Sequence, residues 1–377
     1  SWTPPVASSA SSAGTASAAR ADSPDGKFPA ELLRAGRSIP DRDPVALDPE
    51  RRTALRGAKL RALVADAASG TAVGEADGDH LFDGTRLWTL APEDEPATAL
   101  GAGLLRAGRH GDSTPLTVCF DDPLEAALAA RRVAALEPPP EVRLVDGRTL
   151  VEVDAAGEPE PAPDISPTGF ADRFDDLCRG VGVDPVLEHG TWRGDVLGLE
   201  VARAVDLSTA EPSVEVGVGR FDREAGVMMR GNRSDAEALA AAADLVRAQR
   251  RPGAGAHPLA TLARERWLRR DLCVHPDRLD LTDLEPVDPA DERLNLRDPA
   301  PAPAIGSDAD GRRVLVVCSV GADPRLVPAI AELVLRESPD RVLVALPTRD
   351  VLAPVERAIA RLRVPTTVVG VACSWDA

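Results

Sequence analysis

Four side chains set into otherwise apolar strands are the first candidates for chemistry: Asp195, Glu200, Arg203 and Glu215. They fall in Trp192-Arg-Gly-Asp195, VLGLEVARAV and SVEV, ahead of a long Ala-rich helix. Strand alternation puts Glu200 on one face with Val196 and Gly198, and turns Glu215 away from Val214 and Val216. Carboxylates converging from two strands can hold a divalent cation, Mg or Mn, through oxygen ligands. The competing expectation is a hairpin with one solvated face.

The order helix, strand, strand, helix resembles the core of metal-dependent nucleases of the restriction-endonuclease type. Those carry an Asp and an acidic-x-Lys pair on adjacent strands. The resemblance implies Glu200 and Glu215 as metal ligands, with Asp195 and Arg203 completing the catalytic set. The lysine is missing, because Glu200-Val-Ala leads to Arg203 and Glu215-Val leads to Gly217. An arginine stays protonated to about pH 12 and accepts a proton poorly. The expectation is a divergent nuclease-like core whose catalysis the missing lysine puts in question.

A second candidate is a run of arginines at 247, 250, 251, 264, 266, 269 and 270, interrupted by one acid, Glu265. Such a run could contact phosphates. The favoured expectation is pairing within the chain, with the acidic stretch around Asp277, Asp280, Asp283 and Glu285. Nucleic acid is therefore a possible partner but not the favoured one.

The third candidate is a set of loops following apolar strands near the C-terminus. They contain Ser319, Gly321 and Asp323, then Thr348, Arg349 and Asp350, then Ser374 and Trp375. Open parallel sheets bind ligands beyond the carboxyl ends of their strands. This supports the alternative function, a non-enzymatic ligand-binding or scaffolding protein that uses Ser319, Gly321, Asp323, Thr348, Arg349 and Ser374. No GxGxxG or GxxxxGK[ST] run identifies a nucleotide. The five histidines have no ligand spacing, and Asp323 and Asp350 can equally be helix caps.

The elements that position these groups read as an α/β protein. An N-terminal α/β unit spans 28–153, a central α+β unit with an antiparallel hairpin spans 168–275, and a β-α-β-α-β, half-Rossmann-like unit spans 312–377. Residues 1–27, Ser- and Ala-rich, read as a disordered tail and not a signal peptide. The Pro/Glu/Asp-rich stretch 154–167 reads as a linker, and 276–311 as a long acidic loop. Asp146-Gly147 marks a tight turn. Ser234-Asp-Ala-Glu237 is a capping box opening a helix, and a further helix carries Leu259, Leu262 and Trp267. Asp323 and Asp350 are expected to cap the two C-terminal helices.

The net charge of −17 over 377 residues argues against wholesale wrapping of nucleic acid or an anionic membrane. Basic residues are almost all arginine, as lysine occurs only at Lys27 and Lys59. Five scattered cysteines with no CxxC give neither a zinc site nor a disulfide framework, and suit a reducing, cytoplasmic setting. No apolar run approaches the ~18 residues that span a membrane. VEVGVGRFDREA, HPLATLARERWLR and VVCSVGADPRLVPAIAE, with the last strand–helix units, resemble an uncharacterised family of proteins from GC-rich bacteria over roughly residues 96–375. The resemblance implies a multi-part architecture and brings no activity or catalytic residue.

Overall fold

In a computed structural model the described residues are 48–67, 74, 76–158, 163–209, 212–219, 233–252, 257–293 and 295–376. The expected tail at 1–27, and the part of the second central segment at 220–232, lie outside them. The protein has an α/β fold, and the described residues form three sheets with no closed barrel among them.

The first sheet runs β1 (Ala76–Asp77), β2 (His80–Phe82), β3 (Leu87–Leu90), β4 (Leu116–Phe120), β5 (Glu141–Asp146), β6 (Thr149–Val151), in that order. Its centre, β3-β4-β5, is parallel. The crossovers are α2 (Ala99–Ala107) and α3 (Pro123–Arg132). Asp122 opens α3 by accepting from the N–H groups of Leu124 and Glu125, with Pro123 at the position that has no N–H to satisfy. On the other face, α1 (Pro49–Ala67) packs Leu60, Leu63 and Val64 against Leu81, Trp88 and Leu90.

The third sheet runs β11 (Leu281–Pro286), β12 (Ala302–Asp308), β13 (Arg313–Cys318), β14 (Arg341–Pro347), β15 (Thr366–Val371). Strands β13-β14-β15 are parallel, joined through α7 (Leu326–Glu337) and α8 (Ala353–Ile359) as the alternating pattern requires. The stretch 276–311 is not the unstructured loop expected of it, since it supplies β11 and β12, which add antiparallel to the sheet edge. Its one-sided burial, Leu281 and Leu284 inward among polar residues, and the small residues of APAIGSD hide the strands from composition.

The helix layers of these two sheets face each other. Leu100, Leu104, Ala126 and Leu136 share a core with Leu326, Ile330, Val355 and Ile359. Helix α2 contacts α8, and α3 contacts α7. A lone antiparallel bridge pairs Leu136 with Leu362 beyond the ends of α3 and α8. Gly101 lies so close to the carbonyl of Pro324 that a Cβ there would sit 1.6 Å from the oxygen. Sequence expectation separates 28–153 from 312–377, but the two stretches close one core, and Asp48–Ala377 is one compact unit. Residues 154–158 and 163–167 of the expected linker contain no helix or strand.

The second sheet is antiparallel, in the order β10 (Ser213–Val216), β9 (Leu199–Val205), β8 (Thr191–Val196), β7 (Asp184–Glu188). Two-residue turns join β7 to β8 and β8 to β9, with positive φ at His189, Gly190, Leu197 and Gly198, the twist that suits hairpins. Its apolar face carries Ala202, Ala204, Val214 and Val216 and is covered by α4 (Phe170–Gly180) and α5 (Asp235–Gln249). The expected capping box opens α5, Ser234 and Glu237 satisfying each other's backbone N–H. The helix expected from Leu259 starts later, as α6 (Arg264–Val274), because Ala263 takes a left-handed φ of 46° and breaks continuity with the 3₁₀ turn at Pro258–Ala260.

Candidate functional site

The other face of the second sheet is charged and buried. Register places Asp184, Val186 and Glu188 of β7 opposite Asp195, Arg193 and Thr191 of β8, and Arg193 opposite Arg203 of β9. A bulge between Gly194 and Asp195 inserts one extra residue into β9, so Asp195 faces Glu200. The bulge breaks the expected alternation and turns Glu200 to the Arg203 face. Glu215 pairs in register with Arg203 and shares that face.

Glu200 is only 2% exposed and is held by arginine. Arg203 donates to both of its oxygens, at 3.0 and 3.1 Å, and Arg193 Nη1 lies 3.5 Å away. Arg193 also pairs with Glu188, which accepts from Arg266 Nη2 of α6 at 2.5 Å. Burial pulls Arg193 down to about 10, with Arg266 adding to the shift, so it keeps its charge at neutral pH. Burial opposes the Arg203 charge, but Glu200 outweighs it and raises the pKa. Two fixed guanidinium groups neutralise the carboxylate that the metal scheme assigns to a cation. Among the described residues no group of three or more His, Cys, Asp or Glu side chains could hold a metal ion. The pairing of Glu200 and Glu215 as ligands for Mg or Mn is thereby opposed, and with it the catalytic set Asp195, Glu200, Glu215 and Arg203.

Helix α6 covers this charged face. Residues at i, i+3, i+4, i+7 and i+8 (Arg266, Arg269, Arg270, Cys273 and Val274) form one stripe, while Leu268 and Leu272 pack into the third sheet beside Val314 and Val316. The β8–β9 turn abuts the helix backbone: a Cβ on Gly198 would lie 2.4 Å from the Arg266 carbonyl carbon, and φ there is +73°. Only glycine meets both conditions.

Between the stripe and the strands lies a cavity of about 190 Å³, lined by the stripe, by Asp184, Pro185, Val186, Asp195 and Gly198, and by Pro286. Two opposite charges in it are unsatisfied. Asp195 is 3% exposed, and its Oδ1 has no hydrogen-bond partner. Arg269, also 3% exposed, has one long contact of 3.4 Å to the Pro303 carbonyl and no carboxylate within pairing distance among the described residues. Burial lowers its pKa, and neighbouring Arg266 adds to the shift. The other two guanidinium groups are engaged, Arg266 by Glu188 and Arg270 by Asp184 at 3.1 Å.

Pairing within the chain therefore accounts for much of the arginine run, but with other partners than expected. Glu188 and Asp184 of β7 take the place of Asp277, Asp280, Asp283 and Glu285. Arg250 donates to the carbonyls of Leu197, Leu259 and Leu262, and Arg247 to those of Val181 and Gly182. The lone acid, Glu265, pairs with Arg293.

The C-terminal strand ends are mostly tied to one another. Asp350 accepts from Gly321 N at 2.8 Å and so does not cap α8, whose N-terminus has no side-chain cap. Arg349 donates to Asp376 at 2.5 Å, and Ser374 to Asp271 at 2.5 Å. Thr348 is exposed and Ser319 is buried. Asp323 does not cap α7 either, since the N-cap there is Arg325 and carries no side-chain cap bond; its Oδ1 accepts from Arg325 N at 2.8 Å in the turn before the helix, while Oδ2 is buried with no partner. Burial raises its carboxyl to about 6.

Comparison with protein-family models, curated proteins and solved structures finds no match to this chain. Of the predicted residues, Asp195 lines the cavity and Glu200, Arg203 and Glu215 flank it on the same sheet face. Arg269 stood among the predicted residues only as part of the arginine run, and Asp184 was not singled out. The one sequence signal for them was the spacing of Arg266, Arg269, Arg270, Cys273 and Val274, which fits a solvated helix face equally well.

Proposed function

We propose that this protein binds a small molecule, without catalysis, in the cavity between α6 and strands β7 and β8. One observation carries the reading: Asp195 and Arg269, buried and oppositely charged, line the same cavity, and among the described residues neither is in contact with an oppositely charged side chain. A buried charge without a counter-charge costs several kcal/mol, and a ligand bearing complementary groups relieves both costs. This retains the ligand-binding alternative of the sequence but moves it from the C-terminal strand ends, whose polar groups largely satisfy each other, to the helix–sheet cavity. The nuclease-like reading asks for a free Glu200, and the bidentate contact from Arg203 weighs against it.

The test is a thermal-shift screen of metabolite-sized compounds on the full chain, repeated with Arg269→Gln. A true ligand at one hundred times its Kd stabilises the fold by about 2.7 kcal/mol, and Arg269→Gln is expected to erase that shift. Retention of the shift in the variant would refute the site. Magnesium- or manganese-dependent DNA cleavage lost in Glu200→Gln would restore the nuclease reading.

A further inference from the structure

The chemistry of the cavity narrows its ligand, provided the cavity is the binding site proposed above. Of the five ionic groups on its wall, Arg270 is paired with Asp184, and Arg266 with Glu188 behind the wall. One guanidinium, Arg269, and one carboxylate, Asp195, are left over. The balance is one positive and one negative charge. A phosphate dianion would meet a single unengaged guanidinium and lie against Asp195. A simple carboxylate would satisfy Arg269 and leave Asp195 bare, and an amine would do the reverse. A molecule with both charges satisfies both groups.

The remaining wall is apolar, made by Pro185, Val186, Val274 and Pro286. The volume of about 190 Å³ falls below the ~300 Å³ at which drug-sized pockets begin, yet it is about six times the ~30 Å³ share of one water. The occupant is compact and part apolar. We propose that the cavity binds a free α-amino acid with a short aliphatic side chain, its carboxylate on the Arg269 guanidinium and its ammonium on Asp195. A planar guanidinium matches a carboxylate in two parallel hydrogen bonds, so Arg269→Lys is a poor replacement although it keeps the charge.

The experiment uses isothermal titration of the full chain with the aliphatic α-amino acids. The comparison ligands are propionate, propylamine and inorganic phosphate, each at the same concentrations. Saturable binding is expected for at least one amino acid, at least tenfold tighter than for propionate or propylamine. Arg269→Lys and Asp195→Asn should each weaken it tenfold or more. A second measurement needs no variant. Cys273 lines the cavity and is the one cysteine that is not buried, although burial pushes its thiol up to about 11. Alkylation of Cys273 in the wild-type chain, followed by mass spectrometry at mildly alkaline pH, should slow when the amino acid is bound. If propionate or phosphate binds as tightly and protects Cys273 equally, the cavity is a ligand site but the amino-acid assignment is overturned. If nothing in a broad metabolite screen protects Cys273 or shifts the melting midpoint, the cavity reading itself falls.

Discussion

The buried cluster of arginine and carboxylate between α3 and α7 and the one under α6 are finished to different degrees. Between α3 and α7, Glu332 is 2% exposed and both of its oxygens are used. Arg131 donates to them at 2.6 and 3.2 Å, Arg132 at 3.3 Å, and Arg132 also reaches Asp291 at 2.5 Å. None of these four side chains keeps a buried polar atom without a partner. Under α6, by contrast, Glu188 Oε2, Asp195 Oδ1 and Arg266 Nη1 are all orphaned. Both clusters pay the same kind of desolvation, but only the first recovers it within the chain. The closed cluster fastens two helix layers together. The open one is short of partners at the wall of a cavity, where a ligand can supply them.

The largest expected effect is at the closed cluster. Glu332→Leu strands Arg131 and leaves Arg132 with Asp291 alone, so unfolding by urea should show a loss of about 3–5 kcal/mol, the cost of breaking a buried pair from one side. A loss below about 1 kcal/mol would mean the cluster is solvated and the contrast false.

Asp323 is an intermediate case, with one oxygen bonded to the Arg325 N–H and one orphaned. Its carboxyl is raised to about 6 from 3.8, so the folded state holds the proton more tightly than the unfolded chain. That contribution to stability is complete below pH 3.8 and is lost as pH rises through 6. Asp323→Asn should be indistinguishable from wild type near pH 4, then more stable by up to about 3 kcal/mol at pH 7 to 8. Denaturation curves across that range check it, and a pH-independent difference would remove the orphaned carboxylate from the account.

The smallest effect is at the open cluster. Arg269→Met removes a buried charge that has no partner, so the unliganded midpoint should stay within about 1 kcal/mol of wild type or rise. A loss of more than about 2 kcal/mol would show that Arg269 is already satisfied, and the two clusters would then be alike.

Much of the fold was legible because local signals agree. RVLVVC, RVLVAL and TTVVGV read as strands, Asp146-Gly147 as the β5–β6 turn, and Ser234 to Glu237 as the start of α5, and each is found. Strands β11 and β12 were not legible, because LTDLEP buries only every third residue and its proline and acids resemble loop. The shared core of the first and third sheets depends on contacts between residues some two hundred apart, such as Arg131 with Glu332. The site was half legible. Charged residues in apolar strands drew attention to the second sheet, and Asp195, which lines the cavity, was among them. The bulge that turned Glu200 toward Arg203 has no local signature, and an arginine stripe on a helix looks the same whether water or a charged sheet covers it.

The helix layer between the first and third sheets has a consequence for how the chain can be cut and rejoined. Helices α2 and α3 meet α8 and α7 crosswise, and the backbone bridge at Leu136 and Leu362 sits beyond both ends. Between β6 and α4 the described residues, 152–158 and 163–169, contribute no helix or strand to that contact. A break there would separate two polypeptides that each hold one wall of a common interior. The chain thus offers a natural point for splitting into complementing fragments, with cohesion supplied by helix packing and not by covalent order.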